Sequence, residues 1–301
     1  MNTKINMDTI LKCLPPAIGK AAATKNATEI LLIAQSPPVL YINGDSFYVT
    51  STGEITRHRN SATVISKKEF SAVFHGLCEN SVYSVENEIK NGFFTIEGGH
   101  RIGICGSGVL RNGEISYIKD ISALNIRLAR QVIGKGAEIL PHILDKYLKN
   151  TLIISPPGCG KTTMLRDLSR ILSSGYKIGI ADERGEIAAS FKGISMHDVG
   201  EKTVVMNCVP KAEAMNMMIR SMGIDVVITD EIGSAEDASA ILNALYAGVK
   251  VIASAHGYSY SDVCLRPDLK KLISSGGFEK FIVLSRRFGP GTVEEVVNYA
   301  G

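Results

Sequence analysis

The sequence predicts an α/β chain: a domain on a mostly parallel sheet with helices on both faces, preceded by a smaller α+β domain. Three observations carry this expectation. Thr151-Leu152-Ile153-Ile154, a short apolar run, leads into Ser155-Pro156-Pro157-Gly158-Cys159-Gly160-Lys161-Thr162-Thr163 and then into an amphipathic pattern over 164–172, the strand, Gly-rich loop and helix of a Walker A phosphate loop. From Thr151 onward, apolar runs at 178–181, 226–229, 249–253 and 281–284 alternate with helical stretches, which argues parallel strands covered on both sides. Before Thr151, turn signals at Asn43-Gly44, Gly98-Gly99 and Asn112-Gly113 separate short β-type runs and argue antiparallel hairpins.

In chain order, residues 1–30 read as short helical pieces around Pro15-Pro16, with an Ala-rich stretch at Ala21-Ala22-Ala23. Strands follow at 30–33 and 39–42, split by Ser36-Pro37-Pro38, and Asn43-Gly44-Asp45 turns into a strand over 47–50. Ser66-Lys67-Lys68-Glu69 is a capping-box pattern, so a helix begins there and runs to about Glu79. A second helix is expected over 84–90. Strands at 93–96 and 101–104, a further strand toward Leu110, and one over 114–118 complete a small antiparallel sheet. Gly134-Lys135-Gly136 reads as a linker, so the domains are drawn at 1–133 and 134–301. A helix over 138–149 leads to the central strand, and 292–297 reads as a late antiparallel edge strand.

Composition narrows the function classes. The 301 residues are 45% hydrophobic, enough for two cores, and 33 basic residues face 30 acidic ones for a formal charge of +3. That near-balance gives no argument for nucleic acid as a partner. The six cysteines are far apart with no Cys-x-x-Cys, which fits a reducing cytosol better than a disulfide framework or zinc site. The N-terminus lacks a signal-peptide pattern and no segment approaches the ~20 apolar residues of a membrane span. The expectation is a soluble cytoplasmic protein, with any membrane association made through a partner.

The chemistry concentrates at the ends of the predicted strands. Gly158 and Gly160 let the backbone curl with its N–H groups inward, the following helix adds its positive end, Lys161 places a charge on the outer phosphates, and the Thr162 hydroxyl can ligate Mg²⁺. Ser155 stands where the strict pattern has Gly. Val226-Val227-Ile228-Thr229-Asp230-Glu231 is an apolar strand ending in two carboxylates, a Walker B pattern in which Asp230 would hold Mg²⁺ through water and Glu231 would polarise the attacking water. Asp182-Glu183-Arg184-Gly185-Glu186 ends another strand, where the carboxylates could act on Mg²⁺ or water, or form a loop salt bridge with Arg184. Ser254 and His256 end the next strand and could sense a γ-phosphate by hydrogen bonding. Arg101, Arg127 and Arg130, and also Arg286 and Arg287, are candidates for an arginine completing the site. Cys159 offers a thiol that bound nucleotide would shield.

Together these segments resemble the stage III sporulation protein AA family, RecA-like ATPases related to the type II and type IV secretion ATPases. The resemblance rests on 156–167, on Asp182 to Ile187, on Thr229 to Gly233 and on Ala253 to Gly257, joined in the first domain by Gly99-His100-Arg101-Ile102-Gly103-Ile104-Cys105-Gly106 and Asn125-Ile126-Arg127-Leu128-Ala129-Arg130. It implies a RecA-like ATPase domain, with Asp182 and Glu183 at the carboxylate box and Ser254 with His256 at a shortened His box. It further implies a homo-oligomeric, hexameric ring, docked peripherally on the inner face of the membrane. Its partners would be membrane-embedded channel proteins between the mother cell and forespore of an endospore-former.

On this reading, residues 155–163 bind ATP, Thr162 and Asp230 hold Mg²⁺, and Lys161, Glu183, Glu231 and His256 carry the catalysis of ATP hydrolysis. Two alternatives belong to other classes. One is a nucleotide-gated assembly scaffold with negligible turnover, against which Glu231 argues; the other is a nucleic-acid motor, against which the near-neutral charge argues.

Overall fold

In the computed structural model, which describes residues 2–3, 7–79, 89, 92–111 and 113–299, the chain separates into two units. One spans Lys4–Arg130 with Phe191–Met196; the other spans Gln131–Ser190 and His197–Gly301 with Met1–Thr3. Apart from Ile89, the helix expected over 84–90 lies outside the described residues, as do Asn91 and Asn112. Strand β1 (Asn2–Thr3) belongs to the second unit. No helix of the described residues is long and apolar enough to cross a membrane.

The first unit opens with helices α1 (Asp8–Cys13) and α2 (Pro16–Thr24), the latter led by Pro at its first position, where a missing N–H costs nothing. Four strands follow: β2 (Glu29–Ile33), β3 (Val39–Ile42), β4 (Asp45–Val49) and β5 (Ile55–Thr56). Helix α3 (Lys67–Leu77) starts at the expected capping box: Ser66 accepts from the Glu69 N–H, and the Glu69 carboxylate accepts from the Ser66 N–H. Strands β6 (Phe93–Ile96), β7 (His100–Arg111) and β8 (Glu114–Arg127) complete a seven-stranded sheet in the order β5-β4-β3-β2-β8-β7-β6, antiparallel throughout. Its alternation is visible in β2, where Ile30 and Leu32 are buried and their neighbours less so. Those side chains join Ile10, Ile18, Phe70, Val73, Leu124 and Ile126 in one core. β7 and β8 are longer than the sequence suggested. Bulges after Cys105 and Val109 let the pairing continue, and Arg127 therefore stands on a strand.

In the second unit, β9 (Gln131–Val132) pairs with β1, and α4 (Lys135–Ile143) precedes β10 (Thr151–Ser155) and α5 (Lys161–Leu172). Then come β11 (Ile178–Asp182), β12 (Thr203–Asn207), α6 (Lys211–Met222), β13 (Val226–Thr229), α7 (Ala235–Tyr246) and β14 (Lys250–His256). Two short helices, α8 (Tyr260–Cys264) and α9 (Pro267–Ser274), lead to β15 (Lys280–Ser285) and β16 (Thr292–Asn298). The strand order is β12-β11-β13-β14-β10-β15-β16, parallel from β12 to β15, with β16 antiparallel on β15. All five β10 residues are buried. Leu152 and Ile154 enter one core with α6, α7 and α9; Ile153 enters the other with α4 and α5. Two buried faces explain why these strands read as unbroken apolar runs.

Gly134-Lys135-Gly136, expected as a linker, is instead the start of α4. Gly134 is its N-cap at φ +101°, a conformation glycine adopts readily. The amides of Gly134 and Gly136 both donate to Asp167 Oδ2 on α5, at 2.8 and 2.7 Å, so a buried carboxylate ties this segment to the phosphate-loop helix. The helix ends at Ile143 rather than near Lys149. A Cβ on Gly136 would lie 2.9 Å from the Leu168 amide nitrogen. Because backbone cannot rotate out of the way, Gly136→Ala is expected to lower stability by about 1–3 kcal/mol, read as a shifted urea midpoint at unchanged slope.

Candidate active site

The site is built where β10 ends. Ser155, the departure from the strict glycine pattern, is the last residue of β10, buried and in register with His256 of β14. It is not among the positive-φ residues, so a side chain is admissible there, and its Oγ donates to the Pro156 carbonyl at 2.9 Å. The curl falls on Gly158 (φ +72°) and Gly160 (φ +91°), the latter being the N-cap of α5. The turn between β15 and β16 braces this loop. Arg286 Nε donates to the Gly158 carbonyl at 2.8 Å, and the Gly291 amide donates to the Cys159 carbonyl at 2.9 Å. Arg286, a candidate for phosphate contact, thus spends its Nε–H on the loop backbone. Cys159 is only 4% exposed, which corrects its expected use as a shielding probe: a thiol already enclosed by protein atoms has little accessibility to lose.

Lys161 opens α5 and turns back into the loop. Its ammonium, buried with the residue 8% exposed, donates to the Ser155 carbonyl at 2.8 Å and the Pro156 carbonyl at 3.3 Å, and lies 3.0 Å from His256 Nδ1. An ammonium has no acceptor, so His256 Nδ1 accepts and its proton sits on Nε2. Nε2 is 3.0 Å from Glu231 Oε2. A continuous run therefore joins Lys161 to Glu231 through a neutral imidazole. Burial pulls the Lys161 pKa below its ordinary value, with Glu231 opposing.

The carboxylates divide sharply. Asp230, 7% exposed, follows β13; burial raises its pKa and the nearby Lys211 pulls it back. Glu231 is more open and has Arg184 Nη1 at 4.0 Å besides His256. Glu183 carries its carboxylate 3.6 Å from Lys211 Nζ. Asp182, fully buried, accepts three backbone N–H bonds, from Glu186 (2.9 Å), Ile187 (3.1 Å) and Ala188 (2.9 Å). Burial raises its pKa against those donors and Arg166. Asp182 shapes the following loop, and the ion pair of Arg184 is made to Glu231, at the end of the neighbouring strand. Ser254 is buried in β14, two residues before His256. Thr162 and Thr163 follow Lys161 in the first turn of α5, both half-buried.

Lys211 escaped the sequence reading. Its only signal was a cation directly after Pro210, at a helix start where positive charge is disfavoured. In the first unit, Arg101 lies over the Phe93 ring at 3.6 Å, Arg127 pairs with Glu29 at 3.8 Å, and Arg130 donates to the Asn26 and Ala27 carbonyls.

These groups fit a magnesium nucleotide. The loop presents a curled backbone and a buried ammonium whose present partners are all uncharged, save through His256. Among the described residues no three His, Cys, Asp or Glu side chains gather as a metal cage. A hydroxyl and one carboxylate, Thr162 and Asp230, are a donor set suited to Mg²⁺ held largely by water and phosphate.

The fold is one shared with solved structures of secretion and pilus ATPases. The chain superposes on the ATPase DotB of Legionella pneumophila with TM-score 0.57 at 16% identity, covering 92% of this chain and 75% of DotB. It superposes on the pilus retraction motor PilT, solved with bound ADP, with TM-score 0.57 at 17% identity, covering 88% and 76%. Residues 28–301 match the family described as "Sporulation stage III, protein AA", and the chain is 47% identical over 231 residues to stage III sporulation protein AA of Bacillus subtilis (strain 168), 75% of each chain. It belongs to that family.

Because the folded pKa of Lys161 lies below its ordinary 10.5, the unfolded chain binds more protons between the two values, and stability rises with pH there. The cost of burying the charge is therefore complete at neutral pH. Lys161→Met is expected to melt at or above the wild-type temperature at pH 7, with the advantage shrinking as pH approaches 10.5; a clear loss of thermal stability at pH 7 would contradict this account.

Proposed function

We propose that this protein hydrolyses MgATP, with water as nucleophile, in an ATPase domain over 134–301. Residues 155–163 wrap the phosphates, and Lys161 leaves the loop carbonyls for the outer phosphate oxygens. Thr162 and Asp230 would hold Mg²⁺, which would supply positive charge against the phosphates. Glu231 orients and deprotonates the attacking water. His256 stands between Lys161 and Glu231, so withdrawal of Lys161 toward phosphate frees Nδ1 and changes what Glu231 is bonded to. Glu183 assists from the neighbouring strand end through Lys211. The observation that carries this reading is the run from Lys161 through His256 to Glu231, which ties the phosphate-binding group to the candidate base.

Membership of the sporulation family and the fold shared with DotB and PilT support a motor of secretion-ATPase type. We take it to work as a homo-oligomeric ring, hexameric by analogy, peripheral to the inner face of the cell membrane. There it would power or assemble a transport channel between mother cell and forespore during endospore formation, against membrane-embedded channel proteins. An arginine such as Arg101, Arg127 or Arg130 would complete the site from another subunit.

The test is Mg²⁺-dependent ATP hydrolysis across a range of protein concentrations. Glu231→Gln is expected to keep nucleotide binding and lose at least about 100-fold in turnover, Lys161→Ala to lose both, and wild-type specific activity to rise with concentration. Hydrolysis by Glu231→Gln at the wild-type rate would remove Glu231 as base. Binding without turnover at any concentration would favour the nucleotide-gated scaffold, and stimulation by DNA in low salt the nucleic-acid motor.

A further inference from the structure

Lys211 is a buried cation at the wrong end of a helix. It is the first residue of α6, where the helix dipole disfavours positive charge, and it is only 8% exposed. Both costs are offset by what faces it. Asp230 Oδ1 lies 3.3 Å from Nζ, Glu183 Oε2 lies 3.6 Å away, and the Glu231 backbone carbonyl accepts a hydrogen bond. These oxygens come from the ends of two neighbouring strands, β11 and β13. Two carboxylates and a carbonyl about one point are the donors a hard divalent cation takes, and here an ammonium fills the place. The ammonium thus places a positive charge between two carboxylates that come from different strand ends.

We infer that Lys211 is a resident counter-cation. Without nucleotide it neutralises Asp230 and Glu183 and keeps a divalent metal from settling on them, so that metal loading is tied to nucleotide loading. The role rests on the reading of Asp230 as the Mg²⁺-side carboxylate, but it makes a claim that needs no nucleotide to examine. Lys211 acts as a positioning residue, since it touches the carboxylates rather than the reacting atoms.

The experiment is Mn²⁺ binding to the full chain in the absence of nucleotide, followed by electron paramagnetic resonance of free Mn²⁺. Lys211→Met is expected to bind one Mn²⁺ at least about tenfold more tightly than wild type, the minimum implied by removing a like charge within about 4 Å. Lys211→Arg, which keeps the charge, should bind as wild type does, and adding Asp230→Asn to Lys211→Met should abolish the gain. A purely structural lysine would alter melting temperature without separating these affinities. Equal Mn²⁺ binding by wild type and Lys211→Met, or a gain that survives Asp230→Asn, overturns the inference. Lys211→Gln serves the same comparison if the methionine variant does not fold. ATP binding measured separately on wild type tells the two readings apart: its absence would undo the ATPase assignment while leaving the Mn²⁺ result to stand or fall by itself.

Discussion

An ammonium as enclosed as that of Lys161 requires oxygen ligands at fixed positions, and a chain can supply them only where its own carbonyls are turned inward. The loop after β10 does this because Gly158 and Gly160 take positive φ, which leaves the Ser155 and Pro156 carbonyls within reach of Nζ. The loop holds that curl because it is braced from outside by Arg286 and the Gly291 amide, and from below by a strand buried on both faces. The arrangement is costly at neutral pH, as the depressed Lys161 pKa indicates. A site that keeps a charge in an unfavourable setting is ready to give that charge to a better anion.

Strand order then decides which groups meet. In the sequence β12-β11-β13-β14-β10, the carboxyl ends of β11, β13, β14 and β10 stand side by side, and parallel direction puts all four on one edge. Glu183, Asp230 with Glu231, His256, and the loop bearing Lys161 therefore follow one another along that edge. His256 can bridge Glu231 and Lys161 because β14 lies between β13 and β10. Lys211 reaches Asp230 and Glu183 because α6 starts after β12, the neighbour of β11.

Much of this was legible from local pattern. The strand, loop and helix around Ser155 to Leu172, the Asp230-Glu231 pair after an apolar run, and the Ser66 capping box are short-range signals, each set by residues a few positions apart. What was not legible depends on residues distant in sequence. The bracing of the Gly158 and Cys159 carbonyls comes from the β15–β16 turn, about 130 residues later. Gly134-Lys135-Gly136 looked like a linker because glycine near glycine signals flexibility, whereas Asp167 on another helix fixes both amides. Lys211 bore the one local irregularity, a cation in a first helical turn, and that irregularity had no meaning until the carboxylates opposite it were in place.

The neighbours Asp182 and Glu183 show how far adjacent residues of the same chemistry can diverge. Asp182 is the last residue of a strand buried on both sides, so its carboxylate points inward and must be satisfied there. Three backbone amides of the following loop do so, and Arg166 from α5 adds its charge while bonding the Glu186 and Ile187 carbonyls of the same loop. One residue later the chain has left the strand, the side chain is more open to solvent, and Glu183 faces Lys211 instead. An acidic pair at a strand end thus splits into one group that holds the loop and one that looks into the site. The same division separates Asp230, buried against Lys211, from Glu231, open to His256 and Arg184. In each pair the inner acid is the more buried and the outer acid the more exposed, so two adjacent carboxylates meet different partners.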